Sequence, residues 1–184
     1  MSGRKNILFS TREIVMVGMC AAIMCIAGPF SVPIPISPVP ISLTPLIIFL
    51  TAYILSPKLC TLSSLIYLML GTVGLPVFSG FTGGVGKIAG PTGGYLIGFL
   101  LTAFICSVFN HYFQKNIMSV LGMILGAAAY YTFGTVWFVV QQDVSFYAAL
   151  SACVLPYLFG DALKIIAAVI IGSKLRSYSF FNNR

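Results

Sequence analysis

Charged residues punctuate this chain, and the segments between them are long and apolar. Uncharged runs occupy Ile14–Pro57, Leu59–Gly86, Ile88–Gln114, Asn116–Gln142 and Val144–Gly160, the last continuing past two charges to Ser173. A helix needs about 20 apolar residues to cross roughly 30 Å of hydrocarbon. The pattern therefore predicts six transmembrane helices, at about 13–30, 43–56, 59–76, 92–112, 117–140 and 148–173. The first run holds two of them, separated by SVPIPISPVPIS (31–42). Proline at every second or third position cannot continue a helix. The second span is short and begins near Pro45, a residue suited to a helix's first turn.

Composition agrees with an all-α integral membrane protein. Of 184 residues, 59% are hydrophobic and only 7% charged, with a mean hydropathy of +1.03. Soluble domains carry about 25% charged residues, so this chain could not cover a water-facing surface. One transmembrane domain spanning 1–184 is expected, placed multi-pass in the cell membrane. The net charge of +7 raises nucleic acid as a partner, but the basic residues are dispersed and form no stripe.

The lysines and arginines set the orientation. With six spans and both termini cytoplasmic, the inner side collects Arg4, Lys5, Arg12, Lys58, Lys115, Lys174, Arg176 and Arg184, eight of the ten. The outer loops hold only Lys87 and Asp143. The N-terminal stretch superficially resembles a signal peptide, but a second charged cluster precedes the apolar run and no A-x-A site follows, so it reads as a retained first span. Cys20, Cys25, Cys60, Cys106 and Cys153 are scattered through apolar segments without C-x-x-C or Cys/His grouping. They read as small buried hydrophobes rather than metal ligands or disulfide partners.

The stretch GGVGKIAGPTGGYLIGF (83–99) looks like a phosphate loop. A Walker loop would need glycine at Phe81 and a hydroxyl residue at Ile88. The dinucleotide pattern at Gly84, Gly86 and Ala89 lacks a preceding strand and an acidic residue about 20 positions on. The loop also falls outside the cell. A nucleotide reading fails. Two others stay open: a tight inter-helix turn with close-packing glycines, or a polar ligand site. Glycine lets a ligand approach backbone N–H groups, and Thr92 and Gly93 lead into a helix N-terminus that favours an anion. Lys87 adds a full positive charge nearby.

The sixth span favours the ligand site. LPYLFGDALKIIAAVIIG places Asp161 and Lys164 inside an apolar helix. Ionisable groups at that depth are costly and mark functional paths. Three residues apart, they share a helix face and could simply pair with each other. The alternative has both facing a cavity, with Lys164 on a ligand carboxylate and Asp161 accepting ligand N–H bonds.

These motifs are recognisable together. The chain resembles the BioY family, the biotin-specific substrate-binding (S) components of energy-coupling factor (ECF) transporters. The resemblance rests on LPVFSG (75–80) followed by GGVGKIAGPTGGYLIGF (83–99), with PISPVPISL (35–43) after the first span and GDALK (160–164) in the last. One departure is Thr44, where the family often carries Gln. The resemblance implies biotin captured from outside, beneath lids formed by the loops between spans one and two and spans three and four. Lys164 or Lys87 would hold the valerate carboxylate. Asp161, with a hydroxyl such as Ser79 or Thr92 or a backbone N–H, would match the ureido ring. Phe78, Tyr95 and Tyr130 are candidate walls for the thiophane ring. No cofactor, metal or catalytic residue is implied. ECF relatives work with a transmembrane coupling subunit and two ATPase subunits, and Gly18-x-x-x-Ala22 on the first span would dock on the coupling subunit.

Other classes fit less well. An intramembrane hydrolase would need a base beside Ser79, but the only histidine, His111, falls near the opposite face. The only glutamate, Glu13, lies at the cytoplasmic edge. A small channel or exporter would be expected to work without ATPase partners. An S component for another vitamin would not be expected to carry GPTGGYL in this setting.

Overall fold

The structure is a computed structural model that describes residues 9–34, 37–113 and 115–177. Helix α1 covers Thr11–Ala27; two short strands follow, β1 (Ser31–Ile34) and β2 (Ser37–Ser42). Helices α2 (Thr44–Ile54) and α3 (Pro57–Val73) precede a short α4 (Val85–Ala89). The long helices α5 (Gly93–Phe113) and α6 (Asn116–Gln142) come next, then α7 (Phe146–Cys153) and α8 (Leu155–Ser177). Helices α5, α6 and α8 are long and apolar enough to cross a membrane. Helices α2 and α3 are apolar but shorter.

Two expectations need correction. The proline-rich segment is not plain loop: β1 and β2 pair antiparallel, with Ser31 opposite Ser42 and Val32 opposite Ile41, so the chain is not purely helical. Proline is compatible with a strand whose N–H faces no partner, and every strand of a two-stranded ribbon has such an edge. The sixth span, expected as one helix, is broken at Val154 into α7 and α8. Pro156 explains the break, because its ring excludes the carbonyl four residues back and it has no N–H to give.

Helix α1 starts with a capping box in which the Ser10 side chain accepts from the Glu13 backbone N–H and Glu13 Oε2 accepts from Ser10 N at 2.8 Å. The chain's single glutamate is thereby assigned a structural task. The α5–α6 pair forms a close seam. A Cβ at Gly98 would stand 2.8 Å from Tyr130 Cα, and one at Gly134 2.3 Å from Tyr95 Cδ1. Small residues permit this approach where apolar surface gains little by leaving lipid. Thr102 Oγ1 crosses the seam to donate to Gly126 O at 2.9 Å.

At the end of the bundle where α8 finishes, Arg176 knits four helices together. Its Nη2 donates to Asn110 Oδ1 at 2.6 Å and to Ser119 Oγ at 2.9 Å. Its guanidinium also lies 4.8 Å from the ring centroid of Tyr53. Outward faces of the helices are largely apolar, as with Ile14, Met19 and Ile23 of α1 and Ile117, Leu121 and Ile124 of α6, all exposed.

Candidate substrate-binding site

The cavity lies at the other end, where the hairpin, the turn at 78–82, α4 and the starts of α5 and α8 converge. The space between these elements is about 580 Å³, open solvent at the mouth included. Val39, Pro40 and Ser42 of the hairpin cover one side, and Ser79, Lys87 and Thr92 contribute from the glycine-rich segment. Tyr95, Phe99, Tyr130 and Tyr131 form aromatic walls, and Tyr157, Asp161 and Lys164 line it from α8.

The glycine-rich segment is shaped by contacts that exclude side chains. A Cβ at Gly83 would stand 2.2 Å from Leu75 O, and one at Gly93 only 1.6 Å from Ile88 O. Gly84 caps α4 with φ +93 and donates its N–H to Gly71 O at 2.7 Å. The turn before it is closed by a bridge between Phe78 and Thr82, with Thr82 Oγ1 donating to Ser79 O at 3.0 Å. Ser79 reaches the cavity from this turn, while its neighbour Phe78 turns away.

Asp161 and Lys164 are both buried and joined at 2.7 Å, so the self-paired bridge exists and it faces the cavity. Both tyrosines from α6 donate to the other carboxylate oxygen: Tyr130 through a short hydrogen bond and Tyr131 at 2.5 Å. Three donors use most of a carboxylate's roughly four acceptor sites. Asp161 retains room for about one further N–H. Burying these groups would be costly without partners, and the network supplies them.

Lys87 differs. It is half-buried on the cavity, and among the described residues its ammonium makes no hydrogen bond or ion pair. Burial lowers its pKa below the ordinary lysine value, because a desolvated ammonium lacks a counter-charge. With two lysines and one aspartate on its lining, the cavity has a formal charge of +1.

Of the residues expected at the site, Asp161, Lys164, Lys87, Tyr95, Thr92, Ser79 and Tyr130 converge on this cavity. Phe78 does not: it is fully buried in the core, edge-on to Tyr67 at 5.6 Å and filling the space left by Gly71. Gly93 contributes close packing against α4 rather than lining. Thr44 is buried off the cavity, its hydroxyl 2.8 Å from Ser42 Oγ. Gly18 and Ala22 lie together on the exposed face of α1. Sequence reasoning missed Tyr131, Tyr157 and the hairpin residues. Tyr157 was discoverable, since it precedes Asp161 by four residues and Lys164 by seven and so shares their helix face.

An apolar helical bundle enclosing a covered, aromatic cavity with buried charges defines the class: a membrane-embedded protein that binds a small polar ligand. Comparison narrows this. The BioY family model matches residues 2–179, and the chain belongs to the BioY family. It is 36% identical over 165 residues to a probable biotin transporter of Pyrococcus horikoshii, covering 90% of this chain and 96% of that one. It is 33% identical over 166 residues to the biotin transporter of Thermotoga maritima, covering 90% and 96%. Among solved structures it superposes on the S-component for biotin of an ECF-type ABC transporter. That match has a TM-score of 0.83 at 28% identity over 96% of this chain and 95% of the other.

Proposed function

We propose that this protein captures biotin at the outer face of the cell membrane and delivers it inward as the substrate-binding subunit of an ATP-driven ECF transporter. The observation that carries the reading is the Lys87 ammonium, unpaired among the described residues, facing a cavity of formal charge +1 with a buried Asp161–Lys164 pair on its wall. Such a lining complements a neutral polar ring bearing a single carboxylate. Lys87 holds that carboxylate, since Lys164 already serves Asp161. Asp161 accepts one ureido N–H at its remaining acceptor site, and Ser79 and Thr92 supply hydroxyls. Tyr95, Phe99 and Tyr130 flank the thiophane ring.

Six helices, α1, α2, α3, α5, α6 and α8, cross the membrane as one domain with both termini cytoplasmic, and the hairpin and α4 are the external lids. The positive-inside bias supports this orientation, with Lys58, Lys115, Lys174 and Arg176 at the end away from the cavity. A transmembrane coupling subunit and two ATPase subunits supply the energy, and the exposed Gly18 and Ala22 of α1 offer the docking face. The reading is tested by uptake of radiolabelled biotin in cells lacking their own biotin uptake. Accumulation is expected when this chain is expressed with coupling and ATPase subunits. Failure to accumulate, with the protein folded in the membrane, overturns it.

A further inference from the structure

Helix α4 carries Lys87 but is poorly anchored by itself. It has five residues, none of them buried, and a helix that short has little stability of its own. Ile88 packs partly against the core, and hydrogen bonds hold the helix at its two ends. At the front, Gly84 N–H donates to Gly71 O at 2.7 Å. At the back, the carbonyl of Gly90 accepts from Gly93 N–H at 3.0 Å and from the indole Nε1 of Trp137 at 3.0 Å. One oxygen thus ties the end of α4 and the start of α5 to α6.

The glycine pair after Thr92 prepares this contact. Gly93 lets the turn close over Ile88, and Gly94 makes the seat for the indole, because a Cβ there would stand 2.3 Å from Trp137 Cβ. Trp137 is the chain's only tryptophan and is not part of the cavity lining. A tryptophan near a helix end in a membrane ordinarily turns its N–H toward the interface. Here the N–H is spent on a backbone carbonyl three residues beyond Lys87.

We propose that Trp137 is a latch on the glycine-rich lid, a positioning residue that holds Lys87 against the cavity through the Gly90 carbonyl. The proposal rests on the reading of the cavity as the biotin site, and its test separates the two. Trp137→Phe removes the N–H and keeps an aromatic ring; Gly94→Ala displaces the indole by a different route.

The first readout needs no ligand: competitive acetylation of lysines across pH, followed by mass spectrometry on the detergent-solubilised protein. In both variants the acetylation midpoint of Lys87 is expected to rise toward the ordinary lysine value, as the released side chain regains water. An unchanged midpoint in both overturns the latch. The second is a double-mutant cycle in biotin affinity. Loss of one hydrogen bond should weaken binding about five-fold in Trp137→Phe. In a Lys87→Ala background the same substitution should change affinity by less than about two-fold, since its effect passes through Lys87. Equal factors in both backgrounds overturn the positioning role. If the wild-type protein binds no biotin, the functional reading falls, and the acetylation midpoint still decides the latch.

Discussion

Lys87 and Lys164 both face the cavity, and the account assigns them different tasks. Lys87→Ala removes the cation assigned to the ligand carboxylate, an interaction worth roughly 1.5–3 kcal/mol for a charged hydrogen bond. At 1.4 kcal/mol per decade this weakens biotin binding about 10- to 150-fold. The loss should be specific to the carboxylate. Biotinamide, which has the same rings but no charge, should bind the variant about as well as the wild type. Lys164→Ala acts differently, because it leaves Asp161 buried without its ammonium partner at 2.7 Å. Breaking a buried pair in this way costs about 3–5 kcal/mol, so both ligands should suffer and the melting temperature should fall. Calorimetric titration of the two variants with biotin and biotinamide reads the four affinities. Refutation is a carboxylate-specific loss in Lys164→Ala together with an equal loss for both ligands in Lys87→Ala.

The same assignment predicts a pH dependence. Burial lowers the pKa of Lys87 in the free protein, and a bound carboxylate would raise it, so binding takes up protons. Affinity should be fullest below the lowered free-state pKa and decline as pH climbs through it, and titrations in Lys87→Ala should lose that decline. Gly93→Ala forces a Cβ to within 1.6 Å of Ile88 O, displacing α4. Overpacking of this kind costs about 1–3 kcal/mol, to be seen as a lower melting temperature with weakened biotin binding. A Cβ at Gly18 on exposed α1 would meet nothing among the described residues within 4 Å beyond its own stretch of helix, which leaves room for a bulky Gly18→Leu. It should leave biotin affinity intact and abolish uptake in the assembled transporter; retained uptake would remove α1 from the docking face.

What the sequence disclosed depended on the range of the physics involved. The long helices α5 and α6 were legible within two residues at each end, because length and apolarity in lipid leave few alternatives. Asp161 and Lys164 stood out because ionisable groups are rare at such depth. The hairpin was hidden: prolines mark where a helix must stop but do not reveal that the segment folds back on itself. The break at Val154 was foreseeable from Pro156 yet lay within a continuous apolar run. Phe78 was misassigned because adjacent residues in the tight 78–82 turn face opposite ways, Ser79 to the cavity and Phe78 to the core. The pairing of Tyr130 and Tyr131 on one carboxylate oxygen joins residues about 30 positions apart, and no local spacing announces it.

The most direct measurement is calorimetric titration of the purified, detergent-solubilised protein with biotin, with thiamine and riboflavin as controls. Saturable one-to-one binding of biotin, without heat from either control, is the predicted result. A folded sample that binds no biotin, or binds either control as well, would contradict the account.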